Sequence, residues 1–253
     1  MPAFVGITVF FLFSTPSFAL NTLTVMADSS MSIAMSELAR DYAKRANVVV
    51  NTSFAASGAQ QAQISEGGAA DILITPKQQW IDELKTQGLL DVYSQTAVAK
   101  NRLALVGPVN SPLQVRIASE FPTAPLIRLF NWEPAFVVGS PEMLQEGVYG
   151  KEALRNLGVA GDLEEYTLYV KQLPQMYAMV TNQQMYGVFF YSSTIGRAGI
   201  RVLDIFPESS HRPIAYSAVA IAGDNMEEAR KFLKYIQSDA ARKILQGNGF
   251  LTD

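Results

Sequence analysis

The alternation of short apolar β-type runs with amphipathic helical patterns constrains the fold of this chain most strongly. In the first part of the chain, three such runs are each followed by a helical pattern: residues 23–27 and 31–45, 48–54 and 59–66, and 71–75 and 78–87. Glycines follow the second and third helical patterns and mark their ends. This βαβαβα order predicts a parallel sheet with helices on both faces.

A second series of the same kind begins at residue 103. It contains β-type runs at 103–106, 136–138, 187–191 and 202–205, and helical patterns at 149–157 and 173–180. The last run, 216–222, and the helices within 226–246 return most simply to the first unit. We therefore predict two α/β lobes joined by two crossover strands, with residues 20–103 and 216–253 in one lobe and 104–215 in the other.

The first residues have the pattern of a targeting segment. An apolar run at 3–13 is too short to span a bilayer and is followed by the small-residue step Ser17-Phe18-Ala19. We expect a signal peptide over residues 1–19, cut after Ala19, and a secreted, periplasmic protein without stable membrane insertion. The usual positive charge at the start is missing, so a buried apolar strand stays open as the alternative.

Composition excludes several classes of partner. The 253 residues carry a net charge of −3, and the lysines and arginines are scattered, which argues against binding to nucleic acid or to an anionic membrane. The absence of cysteine rules out disulfides, thiolate metal sites and cysteine nucleophiles, and it argues against a lipid anchor. With 49% hydrophobic residues, the chain can bury a sizeable core.

Serines stand at two strand-to-helix junctions, Ser29 and Ser30 at the first and Ser57 at the second. The free N–H groups of a first helical turn attract anions, and a serine hydroxyl adds a donor without adding charge. Capping alone would also explain these serines. Because ligands of open α/β sheets lie beyond the carboxyl ends of strands, we expect an anion site in the cleft, faced by residues 137–140 and 190–193 of the second lobe.

Several longer motifs occur in order along almost the whole chain after residue 20. They include Ser53-Phe-Ala-Ala-Ser-Gly-Ala, Asn101-Arg-Leu-Ala-Leu-Val-Gly-Pro108, Val138-Gly-Ser-Pro-Glu142 and Gly147-Val-Tyr-Gly-Lys-Glu-Ala-Leu154. In these motifs the chain resembles bacterial periplasmic molybdate-binding proteins, the substrate-binding components of molybdate ABC transporters.

The resemblance implies a two-lobed periplasmic-binding-protein fold that closes on molybdate, or tungstate, and delivers the ion to a membrane ABC permease. It implies a monomer without enzymatic activity or cofactor, in which the metal is held as its oxyanion and not by metal-ligating side chains. The hydroxyl ligands carry over to Ser30 and Ser57, and the main-chain donors to Val137 and Leu173.

The ligand tyrosine is the first departure from the family. The family's strand reads Gly-x-x-Tyr, whereas this chain has Gly187-Val-Phe-Phe190-Tyr191, which puts Phe190 at the ligand position. Either an extra residue in the strand lets Tyr191 supply the hydroxyl, or that contact is lost. A slip of one residue in a strand reverses the face to which a side chain points, so the two readings exclude each other without a bulge.

Asp28 is the second departure, since the family has a small apolar residue there. At about 4 Å and an effective dielectric constant near 20, a carboxylate and a single negative charge repel by roughly 4 kcal/mol. Asp28 therefore either turns away to cap the following helix, or accepts a proton from an oxyanion such as hydrogen phosphate or hydrogen arsenate. Ser29 keeps a capping or main-chain role.

Three other functions stay open at this point. The chain could bind another tetrahedral oxyanion, or pass its closed state to a membrane receptor as a periplasmic sensor subunit. A secreted serine hydrolase would depend on the single histidine, His211, and has no Gly-x-Ser-x-Gly motif to support it.

Overall fold

The computed structural model describes residues 21–55, 57–118, 120–131 and 133–252, and of Ser57 it describes the backbone only. The predicted signal peptide, residues 1–19, lies outside the described residues. Within the described part, no helix combines the length and the apolar character that a membrane crossing requires.

The first α/β unit forms as the hydrophobic pattern predicts. Its elements are β1 (Thr22–Asp28), α1 (Ser32–Ala46), β2 (Val49–Ala55), α2 (Ser57–Ser65), β3 (Ile72–Thr75), α3 (Gln78–Thr86) and β4 (Thr96–Asn101). The apolar face of α1 is buried through Met35, Leu38 and Tyr42. Asn47 follows α1 in the left-handed conformation, which asparagine tolerates better than most residues, and ends the helix.

The second unit begins directly after β4. Its elements are β5 (Leu103–Pro108), α4 (Thr123–Leu129), β6 (Phe136–Gly139), α5 (Gln145–Asn156), α6 (Ala160–Leu163), β7 (Thr167–Val170), α7 (Leu173–Asn182), β8 (Tyr186–Phe190) and β9 (Ile200–Ile205). The chain then returns to the first sheet with β10 (Ile214–Ala220), followed by α8 (Met226–Ile236) and α9 (Asp239–Gly247).

The strands form two five-stranded sheets, in the orders β2-β1-β3-β10-β4 and β7-β6-β8-β5-β9. In each sheet four strands run the same way, and only β10 or β5 runs against its neighbours. The chain passes between the sheets twice, from β4 to β5 and from β9 to β10. The predicted α/β fold with two mainly parallel sheets and two crossovers is confirmed.

Several details differ from the sequence prediction. The strands β4 and β7 and the helices α4 and α6 were missed. Strand β8 ends at Phe190, one residue earlier than predicted, because a 3-10 turn (Tyr191–Thr194) follows, in which the Thr194 hydroxyl donates to the Tyr191 carbonyl at 2.7 Å. Helix α5 begins at Gln145 instead of residue 149.

The early start of α5 depends on Gly147. A β-carbon at this position would lie 1.9 Å from the carbonyl oxygen of Gly139, so only glycine lets the first turn of α5 approach the end of β6 this closely. Glycine has low helix propensity, which is why the pattern placed the start of the helix later. The close approach brings Glu146 into the interior, where it is fully buried.

Candidate functional site

The carboxyl end of β1 presents Ser30 beside a carboxylate. Asp28 caps the 3-10 turn Ser29–Met31: its Oδ1 accepts hydrogen bonds from the Ser30 N–H at 3.1 Å and from the Ser30 hydroxyl at 2.6 Å. Asp28 and Ser30 are 2% and 7% exposed. Asp28 thus takes the capping position, one of the two alternatives that the sequence left open, and the Ser29 carbonyl accepts from the N–H of Ser32.

Tyr216, a residue that the sequence analysis missed, also reaches Ser30. Its hydroxyl lies 2.6 Å from the Ser30 hydroxyl, and it is fully buried in β10. Burial, followed by the neighbouring Asp28 carboxylate, raises the pKa of Tyr216 well above its ordinary value, so its hydroxyl stays protonated and can donate. The sequence did not single out Tyr216 as a site residue, because a tyrosine inside a strand is ordinarily a core residue.

Asn101 links the two sheets next to Ser30 and Tyr216. Its side-chain amide donates to the Ser192 hydroxyl at 2.8 Å and to the Tyr216 hydroxyl at 3.4 Å, and its carbonyl oxygen accepts from the Ser192 N–H at 3.3 Å. Asn101 ends β4 and Ser192 follows β8. The hydrogen bonds therefore connect the first crossover to the turn after β8.

The start of α2 lies at the same edge of the first sheet. Asp28 and Ala55 are paired in register at the ends of β1 and β2, and Ser57 opens α2 two residues later. The buried Gln60 side chain donates to the Ala27 carbonyl at 2.7 Å and to the Ser53 carbonyl at 3.2 Å, which fixes the first turn of α2 on these strand ends. The backbone of Ser57 is thus placed beside Asp28, while its side chain lies outside the described residues.

A small cavity of about 10 Å³ lies between the two sheets. Ser29 and Ser30 line it from the first sheet, and Leu173, Tyr177, Ser193 and Arg197 line it from the second. Leu173 is the first residue of α7, so the N-terminal turn of that helix and Ser30 line the same cavity. The space is close to what one water molecule needs, so a tetrahedral oxyanion would require the two sheets to separate or Asp28 to turn.

Val137, Phe190 and Tyr191 do not line this cavity. Val137 is fully buried within β6, where it pairs with Leu168 and Gly187. The buried ring of Phe190 packs against Tyr149, with 5.7 Å between ring centroids. The ring of Tyr191 lies beneath the Arg102 guanidinium, and 4.1 Å separate the guanidinium carbon from the ring centroid. Tyr191 also lines a separate outer groove. The structure does not bring the two aromatic residues to Ser30.

The second sheet adds a buried acid, Glu146, which the sequence analysis also missed. Its Oε1 lies 3.5 Å from the Ser193 hydroxyl, and Oε2 has no hydrogen-bond partner among the described residues. Burial, and after it the Asp28 carboxylate, raise the pKa of Glu146 to about 8. The Asp28 carboxylate is thus close enough to Glu146 to disfavour its ionised form.

Arg197 and His211 lie at the edge of the site and have other roles. Arg197 stacks on the Tyr177 ring, with its guanidinium 4.5 Å from the ring centroid, and supplies positive charge at the rim of the cavity. His211 is 8% exposed; its Nδ1 lies 2.8 Å from the Arg212 carbonyl, and its ring meets the Tyr149 ring edge-on. These contacts hold the second crossover, residues 206–213, against α5.

Comparison with known proteins agrees with this architecture. Residues 23–251 match the family model described as bacterial extracellular solute-binding protein. The molybdate-binding protein of Haemophilus influenzae is 30% identical over 231 residues, 90% of this chain and 89% of that protein.

Solved structures with the same fold include the substrate-binding domain of a putative molybdenum ABC transporter from Clostridium difficile, at 25% identity and a TM-score of 0.75. That match covers 92% of this chain and 99% of the other. The periplasmic molybdate-binding protein of Azotobacter vinelandii, 18% identical, superposes with a TM-score of 0.77 over 91% of this chain and 99% of its own length. The chain belongs to the family of bacterial extracellular solute-binding proteins.

Proposed function

We propose that this protein captures molybdate or tungstate in the cleft between its two sheets and delivers the ion to a membrane ABC permease. The observation that carries the proposal is the juxtaposition of the Ser30 N–H and hydroxyl with the first turn of α7, in a chain similar to molybdate-binding relatives over nine-tenths of its length. Neutral donors of this kind bind an oxyanion without a buried cation.

The donor set combines both sheets. Ser30 and the start of α2 at Ser57 supply one side, and the start of α7 at Leu173 supplies the other. The Tyr216 hydroxyl, 2.6 Å from Ser30, provides the phenol in place of Tyr191, whose ring lies under Arg102. Hydrogen bonds to a charged ligand contribute about 1.5–3 kcal/mol each, so six of them exceed the roughly 8 kcal/mol of a micromolar complex.

We also propose a division into two lobes that follows the strand pairings. One lobe comprises residues 20–102 with 214–253, and the other comprises 103–213. Compared with the sequence-based boundaries, Leu103 moves to the second lobe because it pairs with Phe190, and residues 214 and 215 move to the first because β10 begins at Ile214. The protein acts as a monomeric, periplasmic binding protein without catalytic activity and without affinity for nucleic acid.

A second candidate ligand is an oxyanion that keeps a proton, such as hydrogen phosphate or hydrogen arsenate. The specific observation in its favour is the pair of buried carboxyl groups, Asp28 and Glu146, at the cleft. An ionised carboxylate repels a fully deprotonated ion but accepts a hydrogen bond from a protonated one.

Isothermal titration calorimetry of the chain from residue 20 onwards separates these candidates. Molybdate, tungstate, sulfate, phosphate and arsenate are titrated at a fixed pH. We expect micromolar or tighter binding of molybdate and tungstate and none of sulfate. Tight binding of phosphate or arsenate without molybdate binding selects the second candidate, and no heat with any of the five ions contradicts the oxyanion site. Labelling of any serine by an active-site phosphonate would contradict the absence of catalytic activity.

A further inference from the structure

Glu146 is a buried acid for which neither the fold nor the donor set above has a use. It lies in the first turn of α5, which Gly147 seats against Gly139 at the end of β6. Its side chain is fully buried, and Oε2 has no hydrogen-bond partner in the part of the chain that the structure describes. A buried carboxyl oxygen without a partner is costly, which points to a bound group that supplies one.

Glu146 lies directly behind the wall of the cavity. Its Oε1 is 3.5 Å from the Ser193 hydroxyl, and Ser193 lines the small cavity opposite Ser30. The Asp28 carboxylate, which receives both Ser30 donors, is close enough to raise the pKa of Glu146 in addition to the effect of burial. Asp28 and Glu146 therefore lie directly behind Ser30 and Ser193, two residues that line the same cavity.

The other charged and titratable groups around Glu146 do not neutralise it. Tyr216 from β10 and Tyr177 from α7 lie near it, and Tyr149 follows in the same helix; burial raises the pKa of all three phenols, so they stay neutral. Arg197 lies on the Tyr177 ring, His211 and Arg212 lie at the Tyr149 ring, and Arg212 also pairs with Glu152 at 3.4 Å. Among the residues described, no lysine or arginine forms an ion pair with Glu146.

We propose that Glu146 is a specificity-determining residue of the oxyanion site, which takes up one proton together with Asp28 when the cleft closes on the ion. The protonated carboxyl then donates a hydrogen bond to an ion oxygen. The proton comes from solvent and goes to the carboxyl pair, and no covalent bond is made or broken. This inference rests on the proposed oxyanion function and adds that capture is coupled to a proton.

Asp28 and Glu146 take up a proton because their surroundings differ between the open and the closed protein. When the lobes are apart, both carboxyl groups face water and are ionised near neutral pH. Closure removes the water and brings two carboxylates and an anion together, and a shared proton relieves the repulsion. Because one proton accompanies each ion, affinity falls about tenfold for each unit of rising pH in the range where that proton is taken up.

The test measures by calorimetry how many protons the protein takes up for each ion that it binds. Molybdate is titrated into the chain from residue 20 onwards at several pH values between about 5.5 and 8.5, in pairs of buffers with different ionisation enthalpies. For the unaltered chain we expect uptake close to one proton per ion near pH 7 and an affinity that falls as pH rises. In Glu146→Gln, the amide supplies a permanent donor, so we expect proton uptake near zero and an affinity that hardly changes with pH.

Two further variants make the result specific. Glu133→Gln removes the same charge from an exposed position of the second unit, and its proton uptake should equal that of the unaltered chain. Asp28→Asn removes the other member of the pair and should also reduce the uptake, which covers the case in which Glu146→Gln does not fold. Tight molybdate binding by the unaltered chain without proton uptake overturns this inference alone. No binding of molybdate at any pH overturns the proposed function together with it.

Discussion

The carboxylate of Asp28 accepts both hydrogen bonds that Ser30 donates, at 3.1 Å from the main-chain nitrogen and 2.6 Å from the hydroxyl. These are the same two donors that the proposed site offers to an oxyanion. Asp28 therefore competes with the ligand for Ser30 and repels it by its charge. The affinity of the site depends on how far this side chain turns when the ion enters.

Replacing Asp28 with asparagine should strengthen molybdate binding. Asparagine keeps an oxygen that can cap the turn Ser29–Met31 but removes the negative charge. We expect affinity at pH 8 to increase at least tenfold, which calorimetry would detect. Asp239→Asn, at a side chain that is 90% exposed on α9, serves as the matched control and should leave affinity unchanged. Weaker binding by Asp28→Asn would show that the carboxylate assists the ligand.

Removing the Ser30 hydroxyl should weaken binding. Ser30→Ala deletes one charge-assisted donor, worth about 1.5–3 kcal/mol, so affinity for molybdate should fall roughly 10- to 150-fold in a calorimetric titration. Ser36→Ala is the control, because the Ser36 hydroxyl donates to the Ser32 carbonyl within α1. Equal affinities of the two variants would exclude Ser30 as a ligand.

The two tyrosines Tyr216 and Tyr191 provide a matched pair. Tyr216→Phe deletes the hydroxyl 2.6 Å from Ser30, and molybdate affinity should fall about tenfold, as for the loss of one hydrogen bond. Tyr191→Phe changes a ring that lies under Arg102, and affinity should stay the same. The opposite ranking would return the ligand role to Tyr191 and require a different closed arrangement of the turn after β8.

Glu146 should make the stability of the closed, molybdate-bound chain depend on pH. Its pKa is about 8 in the folded chain, above the ordinary value of 4.5, so the folded state holds a proton that the unfolded state has lost. The stability from this group is complete below about pH 4.5, declines as pH rises towards 8, and changes little above that.

Denaturant unfolding of the unaltered chain and of Glu146→Gln, both at saturating molybdate, measures this effect. Between pH 5 and 8 the free energy of unfolding of the unaltered chain should decline relative to the variant, by up to about 1.4 kcal/mol per pH unit. Glu133→Gln should follow the unaltered chain. Parallel pH profiles for the unaltered chain and Glu146→Gln would mean that Glu146 is ionised in the folded protein.

The hydrophobic pattern was sufficient to predict the two α/β units and their crossovers, since α1, β3 and β8 bury the residues that the periodicity selected. The site was predicted less completely. Ser30 follows from its place at the end of β1, whereas Leu173 follows only from the family resemblance, because the strand before it, β7, was missed. Glu146 and Tyr216 could not be found, because a glycine-dependent close approach buries the first and the pairing of β10 with β3 and β4 places the second.

The position of the bound ion tests the central claim most directly. Crystals of the chain from residue 20 onwards, grown with molybdate, are measured at the molybdenum absorption edge to obtain an anomalous difference map. We predict one strong peak between the two sheets, with an ion oxygen within hydrogen-bond distance of the Ser30 hydroxyl and of the first turn of α7. A peak elsewhere, or none between the sheets at saturating molybdate, would contradict the proposed site.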